Sequence, residues 1–230
     1  FDDIFLAPPG TSVTLDIGFG SGESLLEMAT ARPAESFVGI EASSLDPSHP
    51  YHTTCAHRRL TNVKVVLGDA LTVLCDHVED RSLDECCIFF PDPFPLSGDS
   101  ERRLVRPLLL SLLSSKMQPG GVLRIATDVE EYADHVIRVM SPVLVSSALE
   151  DDTSQKTRIR TERQELHPKA SAISTQAGCS IQTVFPSRGI WIGGETAERH
   201  PCRPMTTYEK KAKTAGRRVR DFRYRLELPI

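Results

Sequence analysis

Thr14-Leu15-Asp16-Ile17-Gly18-Phe19-Gly20-Ser21-Gly22 is the stretch that decides the fold. Thr14–Ile17 has the length and apolar character of a strand buried on both faces. The glycines at 18, 20 and 22 let the chain turn sharply and leave its backbone open to close approach by a ligand. Glu23–Ala31 then carries a helical pattern, which Pro33 stops. Strand, glycine turn and helix in that order form the first unit of an α/β sheet.

The same unit recurs downstream. Phe37–Ile40, Val63–Leu67, Cys86–Phe90 and Val122–Ala126 read as further strands, with helices expected after Asp69, over Leu104–Met117 and over Val129–Met140. Pro107 is tolerated because it falls in a first helical turn. Strands this apolar require helices on both faces, so the expected fold is α/β, a Rossmann-like, doubly wound, mostly parallel sheet. Near the end, Thr207–Ala215 is helical in pattern and stopped by Gly216. In Val219–Leu228, Phe222, Tyr224, Leu226 and Leu228 point one way and Arg223, Arg225 and Glu227 the other. That alternation predicts a half-buried strand added late and antiparallel to the same sheet. Ser180–Phe185 with Ile190–Ile192 reads as a small hairpin, and polar residues 150–175 as a long exposed loop.

Each early strand finishes at or beside an acid: Asp16, Glu41, Asp69, Asp92 and Asp128. Ligands of open α/β sheets sit beyond the carboxyl ends of the strands, so these acids share one rim and suit a cationic or hydroxyl-rich ligand. Glu41, at the end of the second strand, is placed to hold both hydroxyls of a ribose. Asp69 is placed to meet an adenine edge beside the Ala70 amide, or to cap the helix that follows. The loop is GxGxG rather than GxGxxG, which argues against a nicotinamide dehydrogenase. Asp92 lies between Pro91 and Pro93, on a loop that the two prolines stiffen.

The 230 residues are 40% hydrophobic and 25% charged with a net charge of −4, so contact with nucleic acid requires a local basic patch. Residues 210–225 supply one: Lys210, Lys211, Lys213, Arg217, Arg218, Arg220, Arg223 and Arg225 against Asp221, with Tyr208 and Tyr224 interleaved. The six cysteines show no CxxC pair, which disfavours a zinc site or a disulfide framework and fits a reducing compartment. No apolar run approaches the ~18 residues of a membrane span.

Phe89-Phe90-Pro91-Asp92-Pro93-Phe94-Pro95, followed by Glu101-Arg102-Arg103, resembles the FPDPW…KRR signature of the tRNA (guanine-N7-)-methyltransferases. Gly120-Gly121 with Ala126-Thr127-Asp128-Val129-Glu130 and Tyr132-Ala133 is similar to the GG…ATDxExYA run of that family. Arg203-Pro204-Met205-Thr206-Thr207-Tyr208-Glu209 is similar to its RPxTKFE segment. The resemblance covers about residues 14–145 and 203–226. It implies a class I methyltransferase using S-adenosyl-L-methionine. It puts Asp16, Gly18, Gly20, Gly22, Glu41, Asp69, Ala70 and Asp92 at cofactor positions, with Asp92 also catalytic. Asp128, Thr206, Thr207, Tyr208 and Glu209 fall at substrate positions. The implied substrate is a variable-loop guanine of tRNA, reached in the cytosol or the nucleus, with a β-propeller partner in eukaryotic members and none in bacterial ones.

Guanine N7 is already an unprotonated acceptor, so its methylation needs positioning and charge complementarity rather than a general base. The chain departs from the pattern where Phe94 replaces Trp and where Leu96 and Thr207 replace lysines, each change lying near the expected RNA entrance. Those departures keep two alternatives open: an RNA-binding homologue with little catalysis, and a methyltransferase for a small molecule. Residues 1–230 are expected to form one methyltransferase domain, with a variable insert at about 146–202.

Overall fold

The computed structural model describes residues 7–42, 60–94, 102–140 and 189–228. In chain order come β1 (Val13–Ile17), α1 (Glu23–Ala31), β2 (Ser36–Glu41), β3 (Val63–Leu67), α2 (Ala70–His77), β4 (Leu83–Phe89), α3 (Pro107–Lys116), β5 (Met117–Thr127) and α4 (Glu130–Met140). Then come β6 (Ile190–Thr196), α5 (Thr207–Thr214) and β7 (Arg220–Glu227). The strands form one seven-stranded sheet in the order β3-β2-β1-β4-β5-β7-β6. β1 to β5 pair in parallel. β7 runs antiparallel to both β5 and β6, which makes it the late-added antiparallel strand expected from its alternation.

Strand order grows one way through β2 and β3 and the other way through β4 and β5, so the switch point lies between β1 and β4. A crevice beyond their carboxyl ends is where such sheets bind ligands. Alternation along β1 sorts the two faces. Val13, Leu15 and Ile17 join the cluster that α2, α3 and α4 cover. Thr14 and Asp16 are buried on the other side, where Leu25, Leu26, Met28 and Ala29 of α1 pack with Phe37, Cys87 and Phe89. Gly39 on β2 allows the close approach there, since a Cβ would lie 2.5 Å from Phe19 and 2.6 Å from Leu25.

Several element ends differ from the sequence-based expectation. α3 starts at Pro107 and not at Leu104, because Arg106 is extended at φ −146° and ψ 163°, as a residue preceding proline prefers. β5 starts at Met117, which pairs with Leu83 ahead of a register shift in β4. Phe90 falls outside β4 because it takes a left-handed conformation at φ 55°. Leu228 lies beyond β7 and is exposed, unlike Phe222, Tyr224 and Leu226. Ile190–Ile192 does form a strand, paired with β7, whereas Ser180–Phe185 and the loop at 150–175 lie outside the described residues. Cys75 is disulfide-bonded, contrary to the expectation of reduced thiols, while Cys86, Cys87 and Cys202 are free. No described helix is long and apolar enough to cross a membrane.

Candidate functional site

A cavity of about 360 Å³ opens at the switch point. Its walls are the glycine loop from Asp16 to Ser21, the start of α1, Glu41, the Phe89–Asp92 turn, Phe94 with Arg102, and Thr206 with Tyr208. A site of that size takes a small organic ligand or cofactor.

The glycine loop is left-handed at every second residue, with φ 75° at Gly18, 53° at Gly20 and 80° at Gly22. Positive φ at these positions is open to glycine at little cost, and it folds the loop tightly back on itself, with the Gly22 amide donating to the Phe19 carbonyl at 2.9 Å. The Gly18 amide donates to the Ile40 carbonyl at 2.7 Å, and the Gly20 amide donates to Glu41 Oε2 at 2.8 Å. The Ala42 amide donates to the other Glu41 oxygen at 3.0 Å. Glu41 is thereby fixed at the end of β2 as a pocket carboxylate. Asp16 is 1% exposed, and its Oδ2 has no hydrogen-bond partner among the described residues. Burial, reinforced by the nearby Glu41 carboxylate, pushes the Asp16 carboxyl up to about 7.

Asp92 is exposed on the facing wall. Its Oδ1 accepts from the Phe94 amide at 3.3 Å. Arg103 braces this loop from within: its Nε donates to the Pro93 carbonyl at 2.8 Å and its Nη2 to that of Phe94 at 3.3 Å. Arg103 also pairs with Glu131 at 2.6 Å and is only 3% exposed. It is thus occupied in holding the loop, leaving Arg102, over the Phe94 ring at 4.5 Å, as the cation lining the cavity.

The C-terminal motif supplies the third wall. Thr206 caps α5 by accepting from the Glu209 amide. The Thr207 amide donates to Glu23 Oε2 at 3.0 Å, tying the start of α5 to the start of α1. Tyr208 stacks on Phe90 with centroids 5.9 Å apart and planes 12° from parallel. Glu209 lies outside the cavity, 7% exposed and bonded to Arg199 at 2.8 and 2.9 Å. Despite burial, Arg199 and Arg203 hold its carboxyl below the ordinary range.

The remaining sequence-predicted positions do not line the cavity. Asp69 caps α2, accepting from the Thr72 amide at 3.0 Å, with Ala70 the first residue of that helix. Asp128 pairs with Arg217 at 2.7 Å, and Gly22 precedes α1. Leu96 lies outside the described residues. Sequence reasoning missed Glu23, whose partner is 184 positions away, and missed the bracing role of Arg103.

A second polar group is buried beneath the sheet's α1 face. Glu85 bonds Arg124 at 2.6 Å and Arg32 at 2.9 Å, with His200 at 3.7 Å. Burial opposes its ionisation, but these partners outweigh it and bring the Glu85 carboxyl down to about 2. Glu85, Cys87 and His200 have ligand-type atoms within 4.8 Å of one another. Two guanidiniums already neutralise Glu85, and burial pushes the Cys87 thiol upward. The group is an internal ion network.

A family model described as "Putative methyltransferase" matches residues 10–175. The tRNA (guanine-N(7)-)-methyltransferase of Stutzerimonas stutzeri (strain A1501) is 43% identical over 143 residues, 61% of this chain and 58% of that protein. The protein of the same name from Escherichia coli O139:H28 (strain E24377A / ETEC) is 43% identical over 132 residues, 57% of this chain and 54% of the relative. The chain therefore spans somewhat over half the length of these curated relatives. Among solved structures, the 16S rRNA methyltransferase KamB is 14% identical, with a TM-score of 0.50 over 95% of this chain and 88% of that one. At that identity the likeness speaks for the fold, which is Rossmann-like. With well over half of its length matched by that family model, the chain belongs to the methyltransferase family the model describes.

Proposed function

We propose that the chain transfers a methyl group from S-adenosyl-L-methionine to N7 of a guanine in the variable loop of tRNA. The observation that carries this reading is one cavity lined by Asp16, Gly18, Gly20, Glu41 and Asp92 together with Thr206 and Tyr208. Cofactor-type and substrate-type residues from opposite ends of the chain thus meet at the switch point. The cavity volume, the glycine loop, the Glu41 carboxylate at the end of β2 and the unpartnered buried oxygen of Asp16 all fit a cationic nucleoside. The names of the relatives supply the substrate. Residues 1–230 are read as one methyltransferase domain with a variable insert at about 146–202, working in the cytosol or nucleus. A β-propeller partner belongs to the reading only in a eukaryotic setting.

S-adenosylmethionine supplies an electrophilic methyl group carried on a sulfonium. Glu41 is assigned the ribose hydroxyls and Asp16 the cationic end, with Asp69 and Ala70 at the adenine edge. Asp92 is held stiffly between prolines and by Arg103, facing the point where positive charge passes to the purine. A fixed carboxylate there stabilises charge that develops during transfer, and it need not accept a proton. Thr206, Thr207 and Tyr208 are assigned to the incoming base. Asp128 and Glu209 belong to the same substrate side but are engaged by arginines. The direct test is methyl transfer from labelled cofactor to bulk tRNA, followed by nucleoside analysis. Label found anywhere but 7-methylguanosine rejects the reading.

Asp16 makes cofactor binding pH-dependent. A bound cation favours its ionised form, so binding below pH 7 must expel the proton that burial retains. Affinity is expected to rise as pH increases toward about 7 and then level off. In the ligand-free protein the sign is opposite. A carboxyl raised from 3.8 to about 7 costs stability as pH climbs through that interval. Calorimetric titration at pH 6 in buffers of differing ionisation enthalpy should register most of one proton released, and none with Asp16→Asn. Equal heats in all buffers for the wild type would contradict the assignment.

The basic patch has two parts. Arg217 pairs with Asp128, Arg218 and Arg220 with Glu195, and Arg225 with Glu227. Lys210, Lys211 and Lys213 are exposed on α5, with Lys211 over the Tyr208 ring at 5.8 Å. Phosphate contact is therefore assigned to these lysines beside the cavity mouth. Replacing Lys210 and Lys213 together with alanine should flatten the log–log salt dependence of tRNA affinity by about 0.7–0.9 per lysine. Arg217→Ala should change it less. A salt titration in which wild type and the lysine variant share one slope removes α5 from the footprint.

A further inference from the structure

Arg203 has the largest side chain that the core fully buries, and its guanidinium is 0% exposed. It meets Asp221 of β7 with both arms, Nη1 to Oδ1 at 2.5 Å and Nη2 to Oδ2 at 3.1 Å. Nη2 also lies 3.4 Å from Glu209 Oε1 on α5. Its flat face covers Phe89 at 5.1 Å and Phe90 at 5.5 Å. A buried ion pair of this kind adds little net stability over apolar side chains of the same volume. Its distinctive property is geometric, because a planar fork bonded on two sides has one orientation.

What that orientation governs is the chain just beyond β4. Phe90 holds a left-handed conformation that non-glycine residues rarely adopt, at φ 55°. Its amide is secured by the Ala126 carbonyl at 2.8 Å. Its ring touches the Arg203 guanidinium and stacks on Tyr208. Pro91 and Asp92 follow at once, so the direction of Phe90 sets where Asp92 enters the cavity. Arg203 itself does not line that cavity. The two cavity walls it serves, the Phe90–Asp92 turn and the first turn of α5, come from segments more than a hundred residues apart.

We propose that Arg203 is a positioning residue: anchored on Asp221 and Glu209, it fixes Phe90 against Tyr208 and so sets the spacing between Asp92 and the substrate-side start of α5. The proposal deepens the functional reading above and rests on it for its kinetic consequence, but its structural consequence stands apart. Arg203 acts through Phe90, and it serves alignment more than ligand affinity.

The test uses Arg203→Lys, which keeps the charge and loses the fork, and Asp221→Asn, which keeps the shape and weakens the anchor. In single-turnover assays each should slow methyl transfer by about 10–100-fold while cofactor and tRNA affinities stay within about twofold, the signature of misalignment. The double variant should be little worse than either single one, because both break one contact. Hydrogen exchange without RNA should accelerate at the Phe90 and Glu209 amides and stay unchanged in β1 and β2. If Arg203→Lys does not fold, Asp221→Asn carries the same readouts. Unchanged exchange at both amides overturns the proposal, as does a rate that falls only in step with cofactor affinity. Local exchange that accelerates in a protein whose wild type never methylates tRNA upholds Arg203 as the anchor and overturns the substrate instead.

Discussion

Asp92→Ala is expected to slow methyl transfer by about 10²–10³-fold, the usual consequence of removing one preorganised charge-stabilising group. Cofactor affinity should fall far less, because Asp16 and Glu41 remain in place on the opposite wall. The loop itself should keep its course, since Arg103 holds it through the Pro93 and Phe94 carbonyls and not through the Asp92 side chain. Single-turnover rates and calorimetric affinities measured on the same preparation separate the two quantities. The rate of the wild type should also show no limb from a base titrating near neutrality, once cofactor is saturating. A rate that tracks such an ionisation at saturation would point to an acceptor atom other than N7.

Glu85→Ala is expected to destabilise the fold by about 3 kcal/mol, because it takes from Arg124 its carboxylate partner and leaves Arg32 only its ion pair with Glu35. That is a large part of the 5–15 kcal/mol typical of a domain. The site lies on β4 below the cavity, so the loss should appear as a lowered midpoint in denaturant at neutral pH. The pH dependence has the opposite sign to that of Asp16. Glu85 is held down at about 2 against an ordinary 4.5, so its contribution is complete above 4.5 and is lost as pH falls through that interval. In Glu85→Gln the acid-dependent part should vanish. A loss below about 1 kcal/mol for Glu85→Ala would mean that the guanidiniums reach solvent in the variant, and that the network behaves as a surface one.

How much of this was legible in the sequence depends on what each signal requires. β1 and β2 were readable almost to the residue because strands buried on both faces are short, mostly apolar runs, whereas β3, at the sheet edge with Lys64 and Leu67 exposed, was readable from its valines. The acids at strand ends were readable for the same reason, since the end of a strand fixes where the next side chain lies. Asp16, Glu41 and Asp92 do share one cavity. Phe90 was placed in β4 because an aromatic after Phe89 looks like more strand, and nothing local announces a positive φ. The early part of β5 was hidden by Pro119, Gly120 and Gly121, which read as a turn yet continue the strand. β6 was read only in part, because half of its residues are exposed and its alternation is weak. Arg103 and Arg203 stand in the sequence only as members of the two motifs. Their buried roles depend on carbonyls and carboxylates brought in by folding, which spacing along the chain does not reveal.

The sheet order has a consequence for how the protein comes into being on the ribosome. Among the described strands β6 is hydrogen-bonded only to β7, which follows it in the chain yet lies inside the sheet. β6 therefore waits for this partner until residues 220–227 have been made, a lag of roughly 2–6 s at ordinary rates of synthesis. Through that interval β5 is an open edge carrying Leu123 and Ile125, a template for pairing with another nascent chain. The Asp221 anchor for Arg203 arrives with the same strand. Closure of the sheet and anchoring of the cavity wall beside Phe90 are thus a single event, so a chain cut short before β7 has a vulnerable edge and an unanchored wall.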